Sequence, residues 1–193
     1  MSEKHRQQAL DYLSIALSLH APPDLTQEAV FEGQPLEREG DMSVFSFRAG
    51  VGGQEEQGYY VVAGQTDPNY YPEWGLTPEQ IYDLHLGTRF MLVMKTSSFP
   101  LDKLPGDLPE RIERFIGTVA PGARVRDVAP AAAFNIESDV HAICRATIAG
   151  ESVYVIGLDA PPGIYRDVHL PPHVVFRRHI GQLIRREAQD ANQ

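Results

Sequence analysis

The sequence predicts an α+β fold: a mostly antiparallel sheet with helices packed on it, including N-terminal and C-terminal helices. Three observations carry this. Strand-like runs come in pairs joined by polar or glycine-bearing turns. The strand-helix alternation that builds parallel sheets is absent. Amphipathic helical patterns stand at both ends of the chain. With 193 residues, 42% of them hydrophobic, the chain can bury a core without metals or disulfides. That length predicts one domain, 1–193, with flexible ends at 1–5 and 189–193.

The first pattern, over 7–20, is helical. Gln7, Asp11, Ser14 and Ser18 make a polar stripe, and Ala9, Leu10, Leu13, Ile15, Ala16, Leu17 and Leu19 a wide apolar face, until Pro22-Pro23 ends it. Residues 24–42, with Gly33, Pro35, Gly40 and many acids, predict a loop holding one short strand around Ala29–Phe31. Val44, Phe45, Phe47 and Ala49 then alternate as a strand does, and Tyr59–Ala63 returns across the glycine-rich turn 50–57, a predicted hairpin. Residues 64–75 hold Pro68, Pro72, Tyr70, Tyr71 and the only tryptophan, without periodicity, and predict a loop. Thr77, Pro78 and Gln80 announce a helix through a capping box, and Gly87 is expected to stop it. The apolar run Arg89–Met94 is expected as a strand, and 95–106 as a loop.

Asp107, Pro109 and Glu110 predict a second capping box, opening a helix with the stripe Ile112, Phe115, Ile116 and Val119. Pro121-Gly122 ends that helix. Val125 and Val128 suggest a short edge segment, and 130–133 a linker-like stretch. Alternation over 140–148, a turn at 149–151 and a return over 152–158 form the clearest hairpin in the chain. Four prolines make 160–172 a predicted loop. A last helix, 172–188, presents Phe176, Ile180, Leu183 and Ile184 inward and Arg178, Gln182, Arg185 and Gln189 outward. The two hairpins differ too much in their surroundings to indicate an internal repeat.

Seventeen basic and 26 acidic residues leave a formal net charge of −9. That balance argues against nucleic acid as a partner, since phosphate contacts need positive potential. The apolar run near the N-terminus is too short and polar to span a bilayer, so no membrane partner is expected. The single cysteine, Cys144, excludes an intrachain disulfide and suits a reducing compartment. Cytoplasmic localisation is the expectation.

Chemical motifs are sparse. Gly50-Val51-Gly52-Gly53 lacks the Lys and Ser or Thr of a phosphate-binding loop and runs into Gln54-Glu55-Glu56. His141 and Cys144 have odd spacing on a predicted strand, which sends them to opposite faces, and Cys144 reads as a buried thiol. The seven histidines match no zinc spacing, so neither metal nor cofactor is predicted. Asp139 and His141 share a strand face, where a carboxylate could orient an imidazole. The basic stretch Arg177-Arg178-His179 with Arg185-Arg186 could hold a phosphate or an acidic partner, although a wet outer face complementing the helix dipole explains it as simply.

The candidate binding residues are therefore Asp67, Asn69, Tyr70, Tyr71, Trp74 and His85, because aromatic side chains pre-ordered by proline offer large contact area at low entropy cost. The function expected first is a non-enzymatic protein-binding adaptor or chaperone-like module whose partner is another protein or a second copy of the chain. Its element order resembles that of small acidic secretion chaperones. The alternative is a small-molecule-binding domain or enzyme with a pocket near the 65–75 loop.

Overall fold

The computed structural model describes residues 3–18, 26–28, 42–50, 57–64, 68–159 and 161–191. It has an α+β fold in which antiparallel sheets carry helices, the N-terminal and C-terminal helices among them. The chain divides into two compact units, 1–85 and 86–193.

In the first unit, helix α1 (Glu3–Ser18) precedes strands β1 (Thr26–Glu28), β2 (Met42–Gly50), β3 (Gln57–Gly64) and β4 (Asn69–Pro72). The strands pair in chain order, each antiparallel to the next. Because side chains alternate across a pleated sheet, Phe45, Val61 and Ala63 share one face, where they cluster with Ala9, Leu10 and Tyr12 of α1. Ala9 is buried as its place on the apolar face requires, whereas Ile15, expected on that face, is 63% exposed. The expected strand at 29–31 lies outside the described residues. Residues 69–72, expected as loop, extend the sheet: Tyr71 pairs with Tyr60 and Tyr70 with Val61. Pro72 is tolerated because β4 is an edge strand.

Helix α2 (Pro78–Val93) begins in this unit and ends in the next. Its capping box is formed in full: Gln80 N–H donates to Thr77 Oγ1 at 3.3 Å, and Thr77 N–H to Gln80 Oε1 at 2.8 Å. Gly87 does not stop it. A Cβ at residue 87 would lie 1.8 Å from the Arg177 carbonyl oxygen and 3.0 Å from the Gly181 nitrogen, so glycine here serves close packing. The expected strand at 89–94 is the end of this helix, with Leu92 and Val93 exposed.

The second unit continues with strand β5 (Thr96–Ser98), helix α3 (Leu108–Val119), strands β6 (Val125–Ile136), β7 (Asp139–Ile148), β8 (Glu151–Leu158) and β9 (Gly163–Tyr165), and helix α4 (Pro172–Asp190). Its strands also pair antiparallel in chain order. The linker-like stretch at 130–133 lies within β6, where register shifts flank Pro130. Such bulges spare a proline the ladder hydrogen bond that it cannot donate. At the start of α3, Asp107 makes no side-chain cap; its carboxylate stands 4.0 Å from Arg111 instead. Strand parity again splits the core. Ala142, Cys144, Ala146, Val153 and Val155 meet Leu108, Ile112 and Ile116 of α3. His141 faces α4, 5.4 Å between ring centres from Phe176, which stacks on Phe134 at 4.8 Å. Among the described residues, no helix is long and apolar enough to cross a membrane.

Candidate functional site

Two segments of the chain, 57–93 and 151–187, write one arrangement twice. Sliding β3 through α2 along the chain onto β8 through α4, without a gap, matches Tyr60 to Tyr154, Val61 to Val155, Pro68 to Pro162 and Tyr71 to Tyr165. It also matches Leu76 to Leu170, Pro78 to Pro172, His85 to His179 and Gly87 to Gly181. Strand register agrees, since Tyr60 pairs with Tyr71 as Tyr154 pairs with Tyr165. So does the chemistry. Tyr71 Oη and His85 Nδ1 are 3.1 Å apart, Tyr165 Oη and His179 Nδ1 are 2.7 Å apart, and each pair spans 14 residues. Both pairs meet edge-on, at ring planes of 89° and 86°. The repeat that the hairpins hid is carried by the strand and helix that follow them.

A tyrosine on the last strand locking a histidine in the next helix serves both units and is part of the fold. Candidate function lies where the units differ. In the first unit three of the residues singled out by sequence, Asn69, Tyr71 and His85, belong to the lock. Asn69 Nδ2 donates to Tyr71 Oη at 3.1 Å, and Tyr12 Oη donates to Asn69 Oδ1 at 3.3 Å. Asn69, Tyr71 and His85 thus form one buried or half-buried chain. Tyr70 points to the opposite face, 6.0 Å from Tyr59 and 6.3 Å from Tyr12 between ring centres. Burial, and then Tyr70, raise the hydroxyl pKa of both Tyr12 and Tyr59. Trp74 is half-buried beyond the strand. Asp67 lies outside the described residues.

The second unit holds a cleft of about 320 Å³ along β9 and α4, on the segment matching 68–73. Four side chains there differ in kind from their earlier counterparts. Arg178 stands where the earlier segment has Leu84, Gln182 where it has Thr88, Arg186 where it has Leu92, and Gly163 where it has Asn69. The glycine makes room: a Cβ at 163 would lie 3.0 Å from His179 Nδ1 and 3.1 Å from Tyr165 Oη. Gln182 takes over from the missing asparagine, with Tyr165 Oη donating to Gln182 Oε1 at 2.9 Å. The phenol therefore bridges His179 Nδ1 and Gln182, in a hydrogen-bond pair whose direction on the histidine side follows the imidazole tautomer. His179 is neutral near pH 7. Burial pushes its pKa down to about 4 against a raising contribution from the Pro161 backbone, while His141 and Arg186 lower it further.

Arg178 is the unusual member. The helical pattern assigns it to the wet outer face, yet only 3% of it is exposed. Its Nη2 donates to Asp167 Oδ2, and its Cζ lies 4.9 Å from the centre of the Tyr165 ring. Nε and Nη1 are buried without a hydrogen-bond partner among the described residues. The sequence signal for this site was the basic run 177–179. Periodicity alone could not reveal that β9 would rise beside α4 and cover the middle arginine.

Two other candidates are settled by burial. Cys144 is fully buried, and burial raises its thiol pKa to about 11. His141 is buried and its pKa lowered, with Asp139 and Asp159 opposing the shift. Among the described residues no group of three metal-binding side chains is placed to hold an ion. No known protein family, curated protein or solved structure matches this chain.

Proposed function

We propose that the protein binds a small anion in the second unit, in the cleft between β9 and α4. The observation that carries this is Arg178. A buried guanidinium with one carboxylate partner leaves three N–H groups unpaired among the described residues, and each unpaired buried donor costs about 1–3 kcal/mol. A carboxylate or phosphate in the cleft supplies the acceptors, and charge-assisted bonds to arginine are the strong ones. Arg186 at the rim adds a second positive charge. The neutral His179 and Gln182 offer polar groups beside it. This is the small-molecule reading, moved from the 65–75 loop to its counterpart in the second unit.

Calorimetric titration with acetate, citrate and phosphate at constant ionic strength tests it, with chloride as the control. Saturable binding of at least one anion that falls tenfold or more in Arg178→Met supports the reading. Absence of binding, or equal binding in the variant, overturns it.

A second reading, the protein-binding module, draws on Leu92 and Val93, 74% and 82% exposed at the end of α2. Adjacent exposed aliphatics are what an apolar contact patch would be built from. Its test is oligomeric state across a concentration series, where a strict monomer unchanged by Leu92→Lys removes the support for self-association.

A further inference from the structure

We infer that the ligand at Arg178 is a dicarboxylate whose second carboxylate meets Arg186, an inference that rests on the anion-binding reading above and names its ligand class. Both arginines line the one cleft between β9 and α4, and so do His179 and Gln182, which stand between them on the helix. Arg178 reaches Asp167 and the Tyr165 ring. Arg186 lies about two turns further along α4, some 12 Å of helix rise. It forms no ion pair among the described residues. Its charge nevertheless bears on the cleft wall, where it opposes protonation of His179. The third arginine of the cleft, Arg166, is engaged elsewhere, 3.5 Å from Glu151.

Between the two charges the cleft is neutral. Tyr165 Oη engages both His179 Nδ1 and Gln182 Oε1, and Gly163 presents no side chain where a Cβ would press on His179 and Tyr165. A volume of about 320 Å³, that of about ten waters, exceeds what one carboxylate fills and admits a short uncharged chain joining two. Carboxylate also suits Arg178 better than phosphate does. Asp167 already gives that guanidinium a full negative charge, and every further charge brought beside Asp167 meets repulsion. A carboxylate brings one charge with two acceptor oxygens, and a phosphate dianion brings two charges. Charge at both ends and none in the middle is the pattern of a short dicarboxylic acid.

The test is calorimetric titration of the full chain at pH 7 and constant ionic strength with malonate, glutarate, adipate, the monomethyl ester of glutarate, and sulfate. The ester keeps the chain of glutarate but carries a single charge. Glutarate or adipate is expected to bind about tenfold or more tightly than the ester, the gain from one charge-assisted contact. Malonate should be too short to reach both arginines. The decisive variant is Arg186→Gln, which changes an exposed side chain and leaves the packed face of α4 intact. In it the advantage of the diacid should disappear while the ester binds nearly as before. Equal binding of diacid and ester in the parent protein overturns the second contact and leaves the anion site standing. An advantage that survives in Arg186→Gln also overturns it. So does sulfate or malonate binding as tightly as the best diacid, because the gain would then belong to total charge and not to two spaced contacts. Failure of every anion to bind removes both inferences.

Discussion

The carbonyl oxygen of Arg177 stands 1.8 Å from where a side chain at Gly87 would begin. That distance is well inside any van der Waals contact, and the obstacle is backbone. Gly87→Ala must therefore push α4 away from α2. The expected cost is about 1–3 kcal/mol or more, as overpacking usually exacts, even though alanine is the better helix former by about 1 kcal/mol. Chemical denaturation of the variant beside the parent checks this, and a gain in stability would show that the two helices are not in such close contact.

The same glycine shows where the sequence was legible and where it was not. Both hairpins, the Thr77–Gln80 capping box and the two terminal helices could be read, because each depends on neighbours within a few residues. The passage of α2 through Gly87, the bulged strand around Pro130 and the burial of Arg178 depend on residues far along the chain. The candidate loop at 64–75 was half legible. Two of its aromatics, Tyr70 and Tyr71, lie on a strand, but the guanidinium whose unpaired donors point to a ligand stands on α4, beside the segment of the second unit that matches this loop.

Arg178 and Asp167 should respond unequally to removal. Asp167→Ala leaves a guanidinium buried without its counter-charge and should destabilise the protein by about 3 kcal/mol, near the lower end for a broken buried pair because a quarter of the aspartate side chain is exposed. Arg178→Met removes the buried charge and its unpaired donors together, so it should cost distinctly less. Urea titration of both variants reads the difference, and an equal loss would mean that Arg178 is better hydrated than its burial indicates.

Tyr165→Phe should cost about 1–3 kcal/mol, because it strips the partner from both His179 Nδ1 and Gln182 Oε1 inside the fold. The result to watch is the His179 imidazole resonance, which should move with the loss of its neighbour. An unchanged resonance and stability would contradict the hydrogen-bonded lock.

Stability should fall on acidification. The pKa of His179 is about 4 when folded and near 6.5 when unfolded. The unfolded chain therefore takes up a proton first. The stabilisation is fully present above pH 6.5, is lost as pH falls from 6.5 to 4, and amounts to about 3 kcal/mol by linkage. His141, also lowered, acts in the same direction. Denaturation midpoints measured from pH 7.5 to 4 should slope accordingly, and His179→Gln should flatten the slope; an identical slope in the variant would assign the acid sensitivity elsewhere.

Cys144 should ignore thiol reagents in the folded protein. It has no exposed surface, and burial holds its pKa near 11, far from the thiolate that reacts. A colorimetric disulfide reagent should report no thiol in buffer and one in denaturant; rapid labelling without denaturant would reveal local opening of β7 and β8.

An arrangement present twice in one chain also has a history. If one ancestral segment gave rise to both units, the tyrosine-histidine lock is what each copy had to keep in order to fold, and it was kept twice. A duplicated segment frees one copy to change while the other preserves the older form. The first unit, with leucine at 84 and asparagine at 69, then stands nearer to a purely architectural version. The second, with arginine at 178 and glycine at 163, is the copy that took on charge at this place. Descendants of the same segment should be recognisable by a tyrosine followed 14 residues later by histidine, with a leucine and a proline between them and a glycine two positions beyond.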